Sequence, residues 1–137
     1  ELKPDYLVDH ATLTGACMVA LGRFTAGLFC TDEALNVHYK EAAKASGEAF
    51  WRMPFDEALR DQLKSPIADL KHMGGSYGGA ILAALFLREF VGNSKWIHLD
   101  IAGPAFLDKR HEVAPKGGTG FGVYTAVEFL KRLGAES

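Results

Sequence analysis

Among the side chains able to bind a metal or move a proton, the clearest pair in this sequence is a histidine with a carboxylate. His98 and Asp100 alternate along an apolar run, so their side chains share one face of a predicted strand. Such a pair can contribute to a zinc site, but no third ligand stands nearby in the sequence. We therefore favour a hydrogen-bonded structural pair. The other histidines are isolated, and His111-Glu112 lacks the second histidine of a zinc-protease helix.

A second group of residues follows the predicted strand ends. Asp9 ends one strand and is followed closely by Thr12-Leu13-Thr14-Gly15, while Asp100 comes just before Ala102-Gly103-Pro104. In open α/β sheets, ligands bind beyond the carboxyl ends of the strands. The spacing therefore predicts two loops of small residues at one sheet edge, with room for a ligand and with backbone groups exposed to it.

Two glycine-rich segments precede predicted helices. They are Gly74–Gly79 and Lys116–Gly122. Helix N-termini bind anions, but neither segment has the Lys-Ser/Thr pair of a phosphate loop or the glycine spacing of a dinucleotide site. Tight turns and close packing are the favoured interpretation. The sequence also contains no Gly-x-Ser-x-Gly elbow and no catalytic cysteine signature.

The elements that must position these residues alternate between strands and helices. Predicted strands cover Asp5–Asp9, Phe24–Cys30 and Trp96–Ile101, and Trp51–Pro54 is extended because residues before proline avoid the helical region. Predicted helices cover Thr14–Leu21, Glu33–Ser46, Asp56–Leu63, Ala80–Val91 and Val123–Leu133. This alternation predicts an α/β domain with a mainly parallel sheet.

The helix predicted over Ala80–Val91 is apolar nearly all round, which indicates burial on most sides. Three strands offer too little sheet to cover it. The chain also has no initiator methionine, and its first strand begins almost at residue 1. We therefore expect part of the sheet to be missing and the chain to be a portion of a longer protein.

Composition limits the classes of function. Of the 137 residues, 48% are apolar and 23% are charged, as in ordinary globular proteins. The net charge of -2 is too small to indicate nucleic acid or an anionic membrane as a partner. No apolar run reaches the length of a membrane span. Cys17 and Cys30 have no metal or redox spacing, which indicates buried thiols and a reducing, cytoplasmic setting.

Five segments, taken in order, make the sequence recognisable. They are Ala11–Ala16, Gly47 with Trp51–Pro54, Asp69-Leu70 with Gly74–Ala80, Trp96 with His98–Gly103, and Lys116–Gly120. Together they resemble the leucyl (cytosol) aminopeptidases, a family of dinuclear-metal peptidases. The match is collinear and spans essentially the whole chain.

The resemblance implies a three-layer α/β/α catalytic domain, a hexameric assembly and the release of N-terminal amino acids, preferably Leu, from peptides. It also implies two divalent metal ions, drawn from zinc, manganese and magnesium. The family's metal ligands are a lysine and several carboxylates, the last of them in an Asn-Thr-Asp-Ala-Glu-Gly-Arg motif that this sequence lacks. We therefore expect residues 1–137 to be the C-terminal portion of the catalytic domain, with no catalytic and no metal-binding residue.

What the resemblance carries over is the wall that faces the substrate. Leu13 and Gly15 match positions that offer backbone groups to the peptide, and Leu13 also lies beside a bicarbonate ion in relatives. Thr12, Ala102 and Ala105 match positions that line the pocket for the N-terminal side chain. The complete expected substrate-binding set is Thr12, Leu13, Thr14, Gly15, Ala102, Gly103 and Ala105. Thr12 and Thr14 are equally suited to helix capping.

Three positions depart from familiar members of the family. His10 stands where an aliphatic residue or alanine is usual, Ala105 where some relatives have methionine, and Phe121-Gly122 where Arg-Pro is common. The change at Ala105 bears on specificity. Two other functions stay open: an accessory DNA-binding role, which the slightly acidic sequence does not support, and an inactive structural or interaction fragment, which fits the missing ligands.

Overall fold

The computed structural model describes residues 3–112 and 114–135, which form strands and helices in alternation. The first half contains β1 (Tyr6–Ala11), α1 (Gly15–Leu21), β2 (Thr25–Cys30), α2 (Glu33–Ser46) and β3 (Ala49–Arg52). A 3₁₀ helix (Glu57–Leu63) leads into the second half. That half contains α3 (Gly79–Arg88), β4 (Lys95–Asp100), β5 (Phe106–Leu107), β6 (Gly117–Gly118) and α4 (Val123–Ala135).

Four strands form the main sheet in the order β1-β4-β2-β3. β1 runs parallel to β4 and β2 runs parallel to β3, whereas the central pair, β2 and β4, is antiparallel. The predicted α/β fold with a mainly parallel sheet is thereby confirmed. β3 was expected only as an extended segment, because its four residues are too few for a period-two pattern to be read from sequence.

Helices cover both faces of this sheet, and the predicted three layers are confirmed. On one face, α2 and α4 bury Leu28, Leu99 and Tyr39 in a common cluster that also includes Phe129. On the other face, α1 and α3 pack Cys17 and Ala80 around Phe29 of β2. Neighbouring residues of β2 thus point to opposite helical layers, as the alternation of side chains along a strand requires.

The long apolar helix is shorter than the sequence predicts. α3 ends at Arg88 rather than Val91, and Phe90, which falls within the predicted apolar helix, lies beyond the observed end and is 70% exposed. Within the helix, every residue from Ala80 to Arg88 is buried or half-buried. Hydropathy alone could not show the end of the helix, because no glycine or proline stops the apolar pattern before Gly92.

The N-terminus of α4 is held by a side chain from the loop before β3. Glu48 accepts hydrogen bonds from the Gly122 and Thr125 amides at 2.7 and 2.9 Å, and from the Thr125 hydroxyl at 2.6 Å. A carboxylate is favoured there by the unpaired N–H groups of a helix start. Thr125 is fully buried, so without Glu48 its hydroxyl loses its charged partner.

Replacing Glu48 with alanine should therefore lower the free energy of unfolding by about 2 kcal/mol, the usual loss for hydrogen bonds to a charged group. Urea unfolding followed by circular dichroism measures the change. Glu128→Ala is the matched control, because Glu128 lies on α4 itself and pairs with exposed Lys131. Equal unfolding midpoints for both variants would show that Glu48 does not hold the helix.

Candidate functional site

The carboxyl ends of β1 and β4 lie side by side at one edge of the sheet. The strands are parallel, and their last residues, Ala11 and Asp100, are opposite each other in register. The amide of Ile101 donates a hydrogen bond to the carbonyl of Ala11 at 2.9 Å. The loops that begin at Thr12 and Ile101 therefore leave the same edge, which confirms the arrangement predicted from the sequence.

The Asp100 carboxylate joins these two loops through hydrogen bonds. Its Oδ1 accepts hydrogen bonds from the amides of Leu13, Thr14 and Ala102 at 3.2, 3.4 and 3.2 Å, and its Oδ2 accepts one from the Thr14 hydroxyl at 2.6 Å. Thr14 in turn caps α1, since its hydroxyl oxygen accepts from the Cys17 amide at 3.0 Å. The capping role considered for Thr14 is thus present, and it is joined to Asp100.

His98 and Asp100 do not form the structural pair expected from the sequence. They share a face, but Nδ1 of His98 lies 2.7 Å from Oδ1 of Asp9 on the neighbouring strand. The other oxygen of Asp9 accepts from the indole N–H of Trp96 at 2.7 Å. Sequence reasoning missed this contact because the partners are 89 residues apart and meet only through the β1–β4 register.

Cys17 lies close to the carboxyl end of β4 and is not activated as a nucleophile or metal ligand. It is 1% exposed, and its thiol donates to the backbone carbonyl of Asp100 at 3.7 Å. Burial, with the Asp100 charge as a further cause, raises the pKa of this thiol to about 11. The thiol is therefore protonated at neutral pH, whereas a nucleophile or metal ligand must be a thiolate.

A cleft of about 420 Å³ opens beside the loop that follows β1, and we call it the strand-end cleft. One wall contains Leu13, Thr14 and Gly15. The facing walls come from the glycine-rich loop and from α3, through His72, Met73, Gly74, Gly75, Gly79, Leu82 and Ala83. Sequence reasoning assigned that loop only to turning, because nothing local shows which surface a glycine-rich loop faces.

The other four expected site residues reach the same edge but do not line this cleft. Thr12 is exposed, and Ala102 and Ala105 are half-buried in the loop after β4. Gly103 is buried, and a Cβ at that position would lie 2.2 Å from the carbonyl oxygen of Gly22. Glycine is therefore needed at 103 for packing against the end of α1, whatever contact it makes with a ligand.

A dinuclear metal site does not fit the described residues. In residues 3–112 and 114–135, no group of three or more His, Cys, Asp or Glu side chains is arranged to hold a metal ion. The carboxylates of β1 and β4, Asp9 and Asp100, already accept hydrogen bonds on both oxygens. Across the same part of the chain, no helix has the length and apolar character needed to span a membrane.

Comparison with known proteins agrees with the family resemblance seen in the sequence. The family model for the catalytic domain of the cytosol aminopeptidase family matches residues 1–127. The probable cytosol aminopeptidase of Aquifex aeolicus is 53% identical over 135 residues, which cover 97% of this chain and 27% of that protein. The corresponding protein of Acidobacterium capsulatum is 50% identical over 131 residues, covering 96% of this chain and 26% of that protein.

Solved structures give the same fold. A mutant of tomato leucine aminopeptidase superposes with a TM-score of 0.87 at 46% identity, covering 93% of this chain and 25% of that one. The bottromycin maturation enzyme BotP in complex with Mn superposes with a TM-score of 0.90 at 43% identity, covering 94% and 29%. The chain spans about a quarter of the length of the curated relatives it matches. With nearly all of its residues matched in sequence and in fold, the chain belongs to the cytosol aminopeptidase family.

Proposed function

We propose that this chain is the C-terminal portion of the catalytic domain of a metal-dependent leucyl aminopeptidase and supplies the wall that faces the substrate. The observation that carries the proposal is the strand-end cleft, in which Leu13, Thr14 and Gly15 form one wall at the edge shared by β1 and β4. This is the edge where α/β sheets bind their ligands. The reaction is hydrolysis of the peptide bond after the N-terminal residue, with Leu as the preferred residue.

The metal ions belong to parts of the protein outside this chain. We propose that the full-length enzyme binds two divalent ions, drawn from zinc, manganese and magnesium, and BotP, a structural relative, has been solved with Mn. Within the chain, the task is to bind and orient the peptide. Leu13 and Gly15 offer backbone groups, a bicarbonate ion lies beside Leu13, and Thr12 contributes its hydroxyl group. Thr14 lines the cleft, but its hydroxyl is bound to Asp100.

The pocket for the N-terminal side chain is proposed to contain Ala102, Gly103 and Ala105. All three are small and lie in the loop that leaves the carboxyl end of β4. Ala105 is fixed at both backbone groups: its amide donates to the Ile101 carbonyl, and its carbonyl accepts from Thr119, both at 3.0 Å. A fixed backbone with small side chains leaves room for a large apolar residue of the substrate.

The full-length enzyme should therefore cleave the p-nitroanilides of Leu, Met or Phe faster than those of Asp or Gly. Burying such a side chain contributes about 1.5–3 kcal/mol, which corresponds to roughly a tenfold to hundredfold higher kcat/KM. Rates measured on the five substrates under identical metal loading test the proposal. A faster rate on the acidic substrate would contradict it.

We also propose that the full-length protein works in the cytoplasm on peptides and assembles as a hexamer. The cytoplasmic setting is supported by the names of the relatives and by two buried thiols, Cys17 and Cys30. The hexamer rests on the resemblance to the family. Sedimentation analysis of the full-length protein tests it, and a monomer at micromolar concentration would overturn it.

A further inference from the structure

Asp100 is a buried carboxylate that carries no ion pair within the described residues. It is 0% exposed, and its hydrogen-bond donors are three backbone amides and one hydroxyl. A buried charge is expensive unless hydrogen bonds compensate it, so these four donors must hold close to this geometry. Three of the four donors belong to Leu13 and Thr14, which line the strand-end cleft.

These hydrogen bonds fix the direction of two peptide groups. In a planar trans peptide, the N–H of one residue and the C=O of the preceding residue point in opposite directions. Because the amides of Leu13 and Thr14 point toward Asp100, the carbonyls of Thr12 and Leu13 point away from it. Asp100 lies in the interior and Leu13 is 38% exposed on the cleft, so those carbonyls face outward.

The sheet fixes the position of Asp100. Asp100 is the last residue of β4, and its register partner on β2 is Gly27. A Cβ on Gly27 would lie 2.8 Å from the Cys17 sulfur and 3.7 Å from the Cβ of Asp100. The absence of a side chain at Gly27 therefore leaves the space in which α1 approaches β4 closely enough for the Thr14–Asp100 contact.

We propose that Asp100 is a positioning residue for peptide hydrolysis: it aims the outward carbonyl of Leu13, which lines the cleft, at the backbone of the bound peptide. This inference rests on the proposed function and extends it to a residue outside the expected substrate-binding set. Asp100 touches neither substrate nor metal. Asp100 acts through the loop after β1, because it accepts hydrogen bonds from the amides of that loop. It also acts through the Thr14 hydroxyl, which connects it to the start of α1.

The test is Asp100→Asn in the full-length enzyme with bound metal, assayed on a leucyl p-nitroanilide and on a leucyl dipeptide. An asparagine can keep one oxygen for the three amides, but it puts an NH₂ group against the Thr14 hydroxyl and removes the charge that strengthens all four hydrogen bonds. We expect kcat/KM to fall by about 10²-fold, the effect of a small misplacement of substrate, with a clear rise in KM. Metal content should stay at the wild-type value.

A matched control separates positioning from stability. Asp32→Asn removes a carboxylate that caps α2 through the Leu35 amide at 2.8 Å and pairs with Lys95, at the end of β4 opposite Asp100. It should lower the unfolding midpoint and leave KM unchanged. If Asp100→Asn does not fold, Thr14→Val decides, since it removes the hydroxyl that binds Oδ2 and should also raise KM.

The outcomes are distinguishable. Unchanged KM in both Asp100→Asn and Thr14→Val, with an active wild-type enzyme, overturns the positioning role and leaves the proposed function standing. A wild-type full-length protein, loaded with metal, that cleaves neither leucyl substrate overturns the proposed function itself. A raised KM in the folded variants, with unchanged KM in the Asp32 control, supports the inference.

Discussion

Replacing Gly15 with valine in the full-length enzyme is expected to lower kcat/KM by about 10²-fold while the protein folds normally. Gly15 is the first residue of α1 and lines the strand-end cleft. Apart from its chain neighbours and the backbone of its own helix, a Cβ built at this position has no atom within 4 Å, and the backbone does not adopt a positive φ there. The fold therefore tolerates a side chain at 15, and valine is also a better helix former than glycine.

The expected loss of kcat/KM would instead come from a clash between the valine side chain and the substrate. We propose that the substrate backbone approaches Gly15 closely, and the two methyl groups of valine would occupy that space. Gly134→Val is the matched control, because Gly134 is also helical, has an open environment and lies far from the cleft in the last turn of α4. Both variants should keep the wild-type circular dichroism spectrum and unfolding midpoint. If kcat/KM is the same in both, Gly15 serves only the turn.

Local signals predicted the helices of this fold well. α2 runs from Glu33 to Ser46 as predicted, because Asp32 caps its start through the Leu35 amide and Gly47 ends it with a φ of 75°. α1 likewise begins after Thr14 and ends before Gly22. The signals for the start and the end of a helix are carried by single capping residues, which interact with groups three or four positions away. Such information is present in the sequence itself.

Pairing between strands was not predictable in the same way. The antiparallel contact of β2 with β4 and the edge pairing of β3 with β2 depend on how distant segments meet. The Asp9–His98 hydrogen bond and the contact of Glu48 with α4 have the same origin, since each joins residues more than 70 positions apart. The expected site residues came from the family resemblance. How they are arranged in space depends on the register of β1 with β4, which the sequence does not reveal.

The isolated 137-residue chain is expected to bind no pair of metal ions tightly and to hydrolyse no leucyl substrate, even with added zinc or manganese. Two catalytic metals lie about 3.5–4 Å apart and need several bridging or terminal oxygen ligands. The described residues offer no cluster of three ligating side chains. A metal that approached Asp9 or Asp100 would have to displace the hydrogen bonds on both of their oxygens.

The same chain should also self-associate. β1 is an edge strand of the sheet in the described structure, so one side of it presents unpaired N–H and C=O groups that can pair with another molecule. We propose that the rest of the catalytic domain lies outside this chain. Supplying it in trans should reduce this association and restore both order and activity, because it would pair with the edge strand and bring the metal ligands. Light scattering with and without the added portion measures the first effect.

Elemental analysis of the purified chain, beside a leucyl p-nitroanilide assay, decides the catalytic part of the prediction. The full-length enzyme serves as the positive control, with metal and turnover measured in the same buffers. We expect metal well below one equivalent and hydrolysis equal to a blank. Two stoichiometric metals, or turnover clearly above the blank, would mean that the ligands lie in this chain after all. Asp9, His98 and Asp100 would then be the first residues to replace, because Asp9 and His98 are in contact across the paired strands β1 and β4 and Asp100 ends β4.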